Sequence, residues 1–251
     1  DQLKNTLKKF KKFKIHIVGD SIVDGYTYTS LSNSRNKTPT FSVIRDNVKN
    51  YIGGAAIVAS HIKAAGANVT FTTIAGKDHL SKFIVKECNK RKINLNLIID
   101  ETRPTTYKNV FIANGYRLLK VDDVVNNSIS QTIVKQISEK IRKTKTDGIV
   151  FSDFRHGIFN EKNISIFSKN ISKNTLKVAD SQVASRWGNI CDFKKFDLIT
   201  PNELEARFSL AKQDNSIYEL SKQLVDKTKC KNVILKLGSN GMFCIEKKNM
   251  N

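Results

Sequence analysis

Apolar positions along the chain keep two rhythms, and the change falls near residue 128. In the first half, short continuous runs at residues 14–18 and 69–75 are β-rich and end in Gly19-Asp20 and Gly76-Lys-Asp78. Between them, Gly53-Gly54 open a helix of small residues (Ala55, Ala56, Ala59, Ser60, Ala64, Ala65) that Gly66 closes at its C-terminal stop. Strand, helix and strand in that order make a crossover unit with a parallel pair. Residues 79–92 carry helical spacing with Phe83, Ile84 and Cys88 inward, and 94–99 form the next strand. Residues 105–113 and 116–121 alternate apolar and polar about Asn114-Gly115, a hairpin with one wet face. The polar, Thr- and Ser-rich stretch 24–48 holds an edge strand at 40–44 that follows Pro39. These pieces add up to a small antiparallel flap beside a parallel sheet.

From residue 128 helices and strands alternate regularly. Helical spacing covers 128–143, 161–173 and 218–229, strands cover 148–152, 176–179, 196–200 and 232–237, and a further helix starts at Asn202 behind Pro201. At the start of the chain Leu3, Leu7, Phe10 and Phe13 share one helical stripe among lysines. Such a helix either packs on its own domain or lies on a membrane surface, and packing is the expectation. With no repeat and no long linker, one α/β domain over 1–251 with a mostly parallel sheet is expected, its flap drawn from 24–48 and 104–122.

Composition narrows the partners. The hydrophobic content of 39% supports a core, and 43 Lys+Arg against 23 Asp+Glu give a formal charge of +20. The lysines are scattered and not interleaved with aromatics on one element, so compositional bias explains them better than a nucleic-acid interface. Cys88, Cys191, Cys230 and Cys244 stand far apart without metal spacing, as reduced thiols do. No apolar run approaches the ~18 residues that span a bilayer, so a soluble, cytoplasmic protein without a membrane partner is expected.

The chemistry collects at strand ends. Asp20, Asp24, Asp78, Asp153, Asp180, Asn202 and Glu205 each follow a strand, and they converge on the edge where open α/β sheets place ligands. Any one of them serves equally well as an Asx-turn or helix cap; together they suit sugar hydroxyls or a magnesium ion, with the Gly53-Gly54 amides and lysines for anions. There is no GxxxxGK[ST], GxGxxG or GxSxG motif, and the four histidines lack metal spacing. His16 and His61 are expected to pack.

Ile17-Val-Gly-Asp20 with Asp24, Gly53-Gly-Ala-Ala56, Thr200-Pro-Asn-Glu-Leu-Glu205 and Leu235-Lys-Leu-Gly-Ser-Asn-Gly241, in this order, resemble the ribokinase-like (pfkB) carbohydrate kinases. Arg103-Pro-Thr-Thr-Tyr-Lys108 and Leu119-Lys-Val-Asp122 are most similar to the D-glycero-D-manno-heptose 7-phosphate kinase part of bifunctional ADP-heptose synthesis proteins. The resemblance implies a three-layer α/β/α sandwich with a small β lid, and transfer of a phosphoryl group from ATP, with Mg2+, to a sugar hydroxyl. It implies that Asp24, Gly53, Gly54, Lys108, Lys120 and Asp153 hold the sugar phosphate. Asp180, Asn202, Glu205, Lys236, Gly238 and Gly241 would serve the nucleotide, with Glu205 ordering the metal. It also implies a homodimer through the lid and a fused nucleotidyltransferase domain in a longer protein. Departures stand at Ile57, where the family usually has Asn, at Phe154-Arg155-His156-Gly157 in place of Tyr-x-Lys-Gly, and at Ser181-Gln182 in place of Pro-Lys. The family's Gly-Ala-Gly-Asp loop with its aspartate base has no counterpart up to Asn251, so the chain is expected to be truncated with that base beyond it.

Overall fold

The computed structural model describes residues 2–32, 40, 42–182 and 189–249. The chain runs α1 (Gln2–Phe10), β1 (Lys14–Gly19), β2 (Ser21–Leu31), β3 (Val43–Gly54), α2 (Ala55–Ala64), β4 (Asn68–Ala75), α3 (His79–Lys90), β5 (Asn94–Ile99), β6 (Tyr107–Ala113) and β7 (Tyr116–Asp123). It continues with α4 (Gln131–Lys143), β8 (Gly148–Asp153), α5 (Glu161–Lys169), β9 (Leu176–Ser181), β10 (Leu198–Ile199), α6 (Glu203–Leu210), α7 (Ile217–Thr228), β11 (Asn232–Lys236) and β12 (Met242–Glu246). Eight strands form one sheet in the order β12-β11-β10-β9-β8-β1-β4-β5, and only the β11–β12 pair is antiparallel.

Alternate residues of this sheet feed two cores. Ile17, Val69 and Phe71 pack with Ala55, Ala56 and Ala59 of α2 and Ile84 of α3, while Val18, Ile149 and Phe151 pack with α4, α5, α6 and α7 on the other face. A near-continuous apolar strand is what burial on both faces demands. The alanines of α2 let that helix press on the sheet: a Cβ added at Gly19 would stand 2.7 Å from that of Ala55. Among the described residues no helix is long and apolar enough to cross a membrane, and all four cysteines are free thiols.

The second sheet has four strands in the order β3-β2-β6-β7. It is larger than the expected flap and not wholly antiparallel, because β2 pairs with β6 in parallel. The strand expected over 40–44 begins at Val43 and runs twelve residues into Gly54; Pro39 and Phe41 lie outside the described residues. The hairpin about Asn114-Gly115 forms as expected, with β7 exposed along its whole length.

Two other expectations fail. Phe10 packs against the core, but Leu3 is 72% and Leu7 40% exposed, so most of the α1 stripe is uncovered. His61 lies on the solvent side of α2, since the helix buries only its alanine face. His16 does pack: it is fully buried, with Nε2 2.7 Å from Thr72 Oγ1. Burial pushes its pKa from 6.5 down to about 4. The unfolded chain therefore binds a proton that the folded chain refuses, so the stability held above pH 6.5 is lost as pH falls towards 4, by about 3 kcal/mol for this group. Urea unfolding between pH 4 and 7 should show this slope in the parent and a shallower one in His16→Gln; parallel slopes would contradict it.

Candidate active site

One face of the small sheet is charged. Asp24 of β2 lies directly across from Tyr51 of β3 and Lys108 of β6, and Lys108 lies across from Asp122 of β7. Directly opposed residues share a face of a sheet, so these four side chains project together. Lys120 is opposite Val110, itself opposite Tyr26, two residues along the same face from Asp24. Burial pushes the Asp24 carboxyl above its ordinary range, Lys108 and Lys120 pull it back, and Asp122 raises it again. Gly53 leaves room for this carboxylate: a Cβ there would fall 2.1 Å from Asp24 Oδ2.

One residue on, Gly54 (φ 58°, ψ −140°) turns the chain into α2, whose start has no side-chain cap. The amide of Ala55 donates to the carbonyl of Asp20 at 2.9 Å. The Asp20 carboxylate accepts from the amides of Phe154 (2.9 Å) and His156 (3.3 Å), tying the end of β1 to the loop after β8. Burial, helped by the charge of Asp153, pushes Asp20 up to about 7. Asp153 is buried and raised chiefly by that burial; it accepts from Arg155 Nη1 and from Ser181 Oγ, both at 2.8 Å. His156 is buried too, its pKa pushed down to about 4 by burial and then by the charge of Lys108.

Further along the same edge, Asp180 Oδ1 accepts from Lys236 Nζ at 2.9 Å and from Thr200 Oγ1 at 3.1 Å. Asn202 bridges to Lys236 in parallel and starts α6 with a capping box: Glu205 N donates to Asn202 Oδ1 at 2.8 Å, and Asn202 N to Glu205 Oε2 at 2.7 Å. Gly238 and Gly241 sit in the turn between β11 and β12, where an added Cβ meets nothing within 4 Å, so this rim is open.

Of the twelve residues expected at the site, Asp24, Gly53, Gly54, Lys108 and Lys120 lie on the small sheet and its junction with α2, while Asp153, Asp180, Asn202, Glu205, Lys236, Gly238 and Gly241 lie at or after the ends of β8 to β11 in the large sheet. Asp78 departs from them, because its carboxylate caps α3 at Ser81 and accepts from the amide and hydroxyl of Thr105. Among the described residues no three His, Cys, Asp or Glu gather as a metal cage. Tyr26, Tyr28 and Tyr51, which line a cavity of about 350 Å³ with Asp24, escape sequence reasoning. The only signal was their period-two spacing from Asp24 along β2, and it carries no information about the β3 partner.

A mostly parallel sheet between helical layers, its ligand edge faced by a smaller sheet bearing a carboxylate, defines the ribokinase-like α/β fold. The chain belongs to the pfkB family carbohydrate kinases, whose sequence pattern matches residues 13–251. It is similar to the bifunctional protein HldE of Aliarcobacter butzleri, 25% identical over 240 residues that cover 92% of this chain and 49% of the relative. The chain thus spans about half the length of the curated relatives it matches. Among solved structures it resembles phosphofructokinase-2 from Escherichia coli in complex with fructose-6-phosphate (TM-score 0.75, 15% identity, 94% of this chain and 78% of that one). Ribokinase from Giardia lamblia is a further neighbour (TM-score 0.72, 18% identity, 95% and 78%). Fold and family are therefore those the motifs implied, and enzymes of this family are phosphotransferases.

Proposed function

We propose that the chain is the kinase part of a longer protein and transfers the γ-phosphoryl group of ATP to a hydroxyl of a heptose 7-phosphate-like sugar. The observation that carries this reading is the shared face of Asp24, Lys108 and Lys120 beside Gly53-Gly54. A carboxylate there accepts from sugar hydroxyls, while two lysines and an uncapped helix start favour a phosphorylated, anionic substrate. At the far group, Lys236 and the open Gly238–Gly241 turn would receive the nucleotide. Glu205 would hold a magnesium ion, which neutralises charge on the phosphates when bound. The whole described edge serves one domain in this reading. A cytoplasmic place follows from ATP as donor, and an ADP-heptose type of precursor would need the nucleotidyltransferase activity that a bifunctional relative of twice this length leaves room for. Pairing of two copies through the small sheet completes the proposal, since its β7 edge is exposed.

A second reading, a sugar- or nucleotide-binding domain without turnover, is favoured by one feature: both Asp153 oxygens are engaged by Arg155 and Ser181 within the chain. The test is coupled detection of ADP from ATP, Mg2+ and D-glycero-D-manno-heptose 7-phosphate by the longer protein that this reading implies, with D-fructose 6-phosphate as comparator. ADP formation that depends on the heptose supports the kinase. Tight heptose binding with no ADP supports the second reading, and binding of neither sugar nor ATP by calorimetry refutes both.

A further inference from the structure

We propose that Tyr26 and Tyr51 form a stacking wall for the carbon face of the sugar ring, a subsite adjoining Asp24 that deepens the reading above and rests on it. The cavity of about 350 Å³ is lined by Asp24, Tyr26, Tyr28 and Tyr51, so one carboxylate shares it with three phenol rings. Tyr26 and Tyr51 meet edge to face, with centroids 5.7 Å apart and planes at 78°. That arrangement leaves the cavity an L-shaped corner made of one ring face and one ring edge. Tyr28 also lines it, with Lys49 Nζ over its ring at 5.6 Å. Tyr51 keeps 51% of its surface exposed, although it sits on a strand pair whose other face is packed.

A sugar ring has a polar rim of hydroxyls and a carbon face of C–H groups. Those hydrogens carry partial positive charge and complement the negative face of an aromatic ring. In this corner the rim meets Asp24 while the carbon face lies on Tyr26 or Tyr51, so one cavity serves both halves of an amphipathic ligand. The wall therefore selects for ring shape and for which side of the ring bears hydroxyls; the lysines beyond it select for charge.

The test uses the whole chain, D-glycero-D-manno-heptose 7-phosphate as probe, titration calorimetry and saturation-transfer NMR. Tyr26→Leu and Tyr51→Leu should each weaken binding roughly fivefold to tenfold. Tyr26→Phe and Tyr51→Phe should bind within about twofold of the parent, and irradiating aromatic protons should saturate ring C–H protons of the sugar. Leucine variants that bind as the parent does would overturn the wall and leave the kinase reading standing. Leucine variants that halve the mass by light scattering while sugar affinity holds would instead make these rings a contact between copies. Absence of any sugar binding by the parent would remove the kinase reading and the wall with it.

Discussion

Asp24→Asn is expected to weaken sugar-phosphate binding by roughly 100- to 1,000-fold while leaving the fold as stable as before, or more so. Hydrogen bonds from hydroxyls to a carboxylate contribute about 1.5–3 kcal/mol each, and the two weakened when one oxygen becomes an amide amount, at the lower end of that range, to about 3–4 kcal/mol. The stability side follows from the direction of the pKa shift. Burial holds the Asp24 carboxyl above its ordinary range, so its ionised form is a net strain on the folded chain near neutral pH that Lys108 and Lys120 only partly offset. Removing the charge relieves that strain. Calorimetric titration with the heptose phosphate beside a thermal melt checks both halves. A variant that binds normally, or one that loses binding only because it unfolds, would end the assignment of Asp24 to the sugar.

The second large effect separates the two glycines that read alike as letters. Gly54→Ala should destabilise the chain by about 3–5 kcal/mol, since it combines a φ of 58° and ψ of −140° with a Cβ 2.4 Å from the backbone carbonyl oxygen of Asp20. That oxygen is held by the Ala55 amide and cannot swing away. Gly53→Ala meets the end of a side chain, Asp24 Oδ2, which can rotate; the fold should survive and sugar binding should fall with the displaced carboxylate. Urea unfolding read against sugar affinity distinguishes them. Equal losses of stability in both variants would show that the glycine pair serves the turn alone.

The large sheet was legible because its strands are buried on both faces and so stand out as apolar runs closed by Gly, Pro or Asp. The hairpin was legible through Asn114-Gly115, whose turn geometry few other pairs satisfy. By contrast β2 and β3 were almost silent. Residues 43–50 of β3 are mostly exposed, and its Lys49, Asn47 and Asp46 are residues that strands generally avoid. Their extended form is sustained by the pairing with β2 over eleven registered positions, a long-range property that no local window contains. The same gap hid Tyr51, which becomes a neighbour of Asp24 only through that register. Strand-end acids were easier to find than to sort: Asp78 and Asp24 look equivalent in sequence, and only the Ser81 and Thr105 contacts reveal that the first is consumed by its own helix cap and by the segment before β6.

Strand β3 passes into α2 without a loop, so one unbroken stretch of backbone belongs both to the small sheet and to the helix that braces the large one. Gly53 and Gly54 are still paired with Ile22 and Ser21 of β2 at that joint, and the Asp24 carboxylate stands beside it, so the two sheets and the acid share a common corner post.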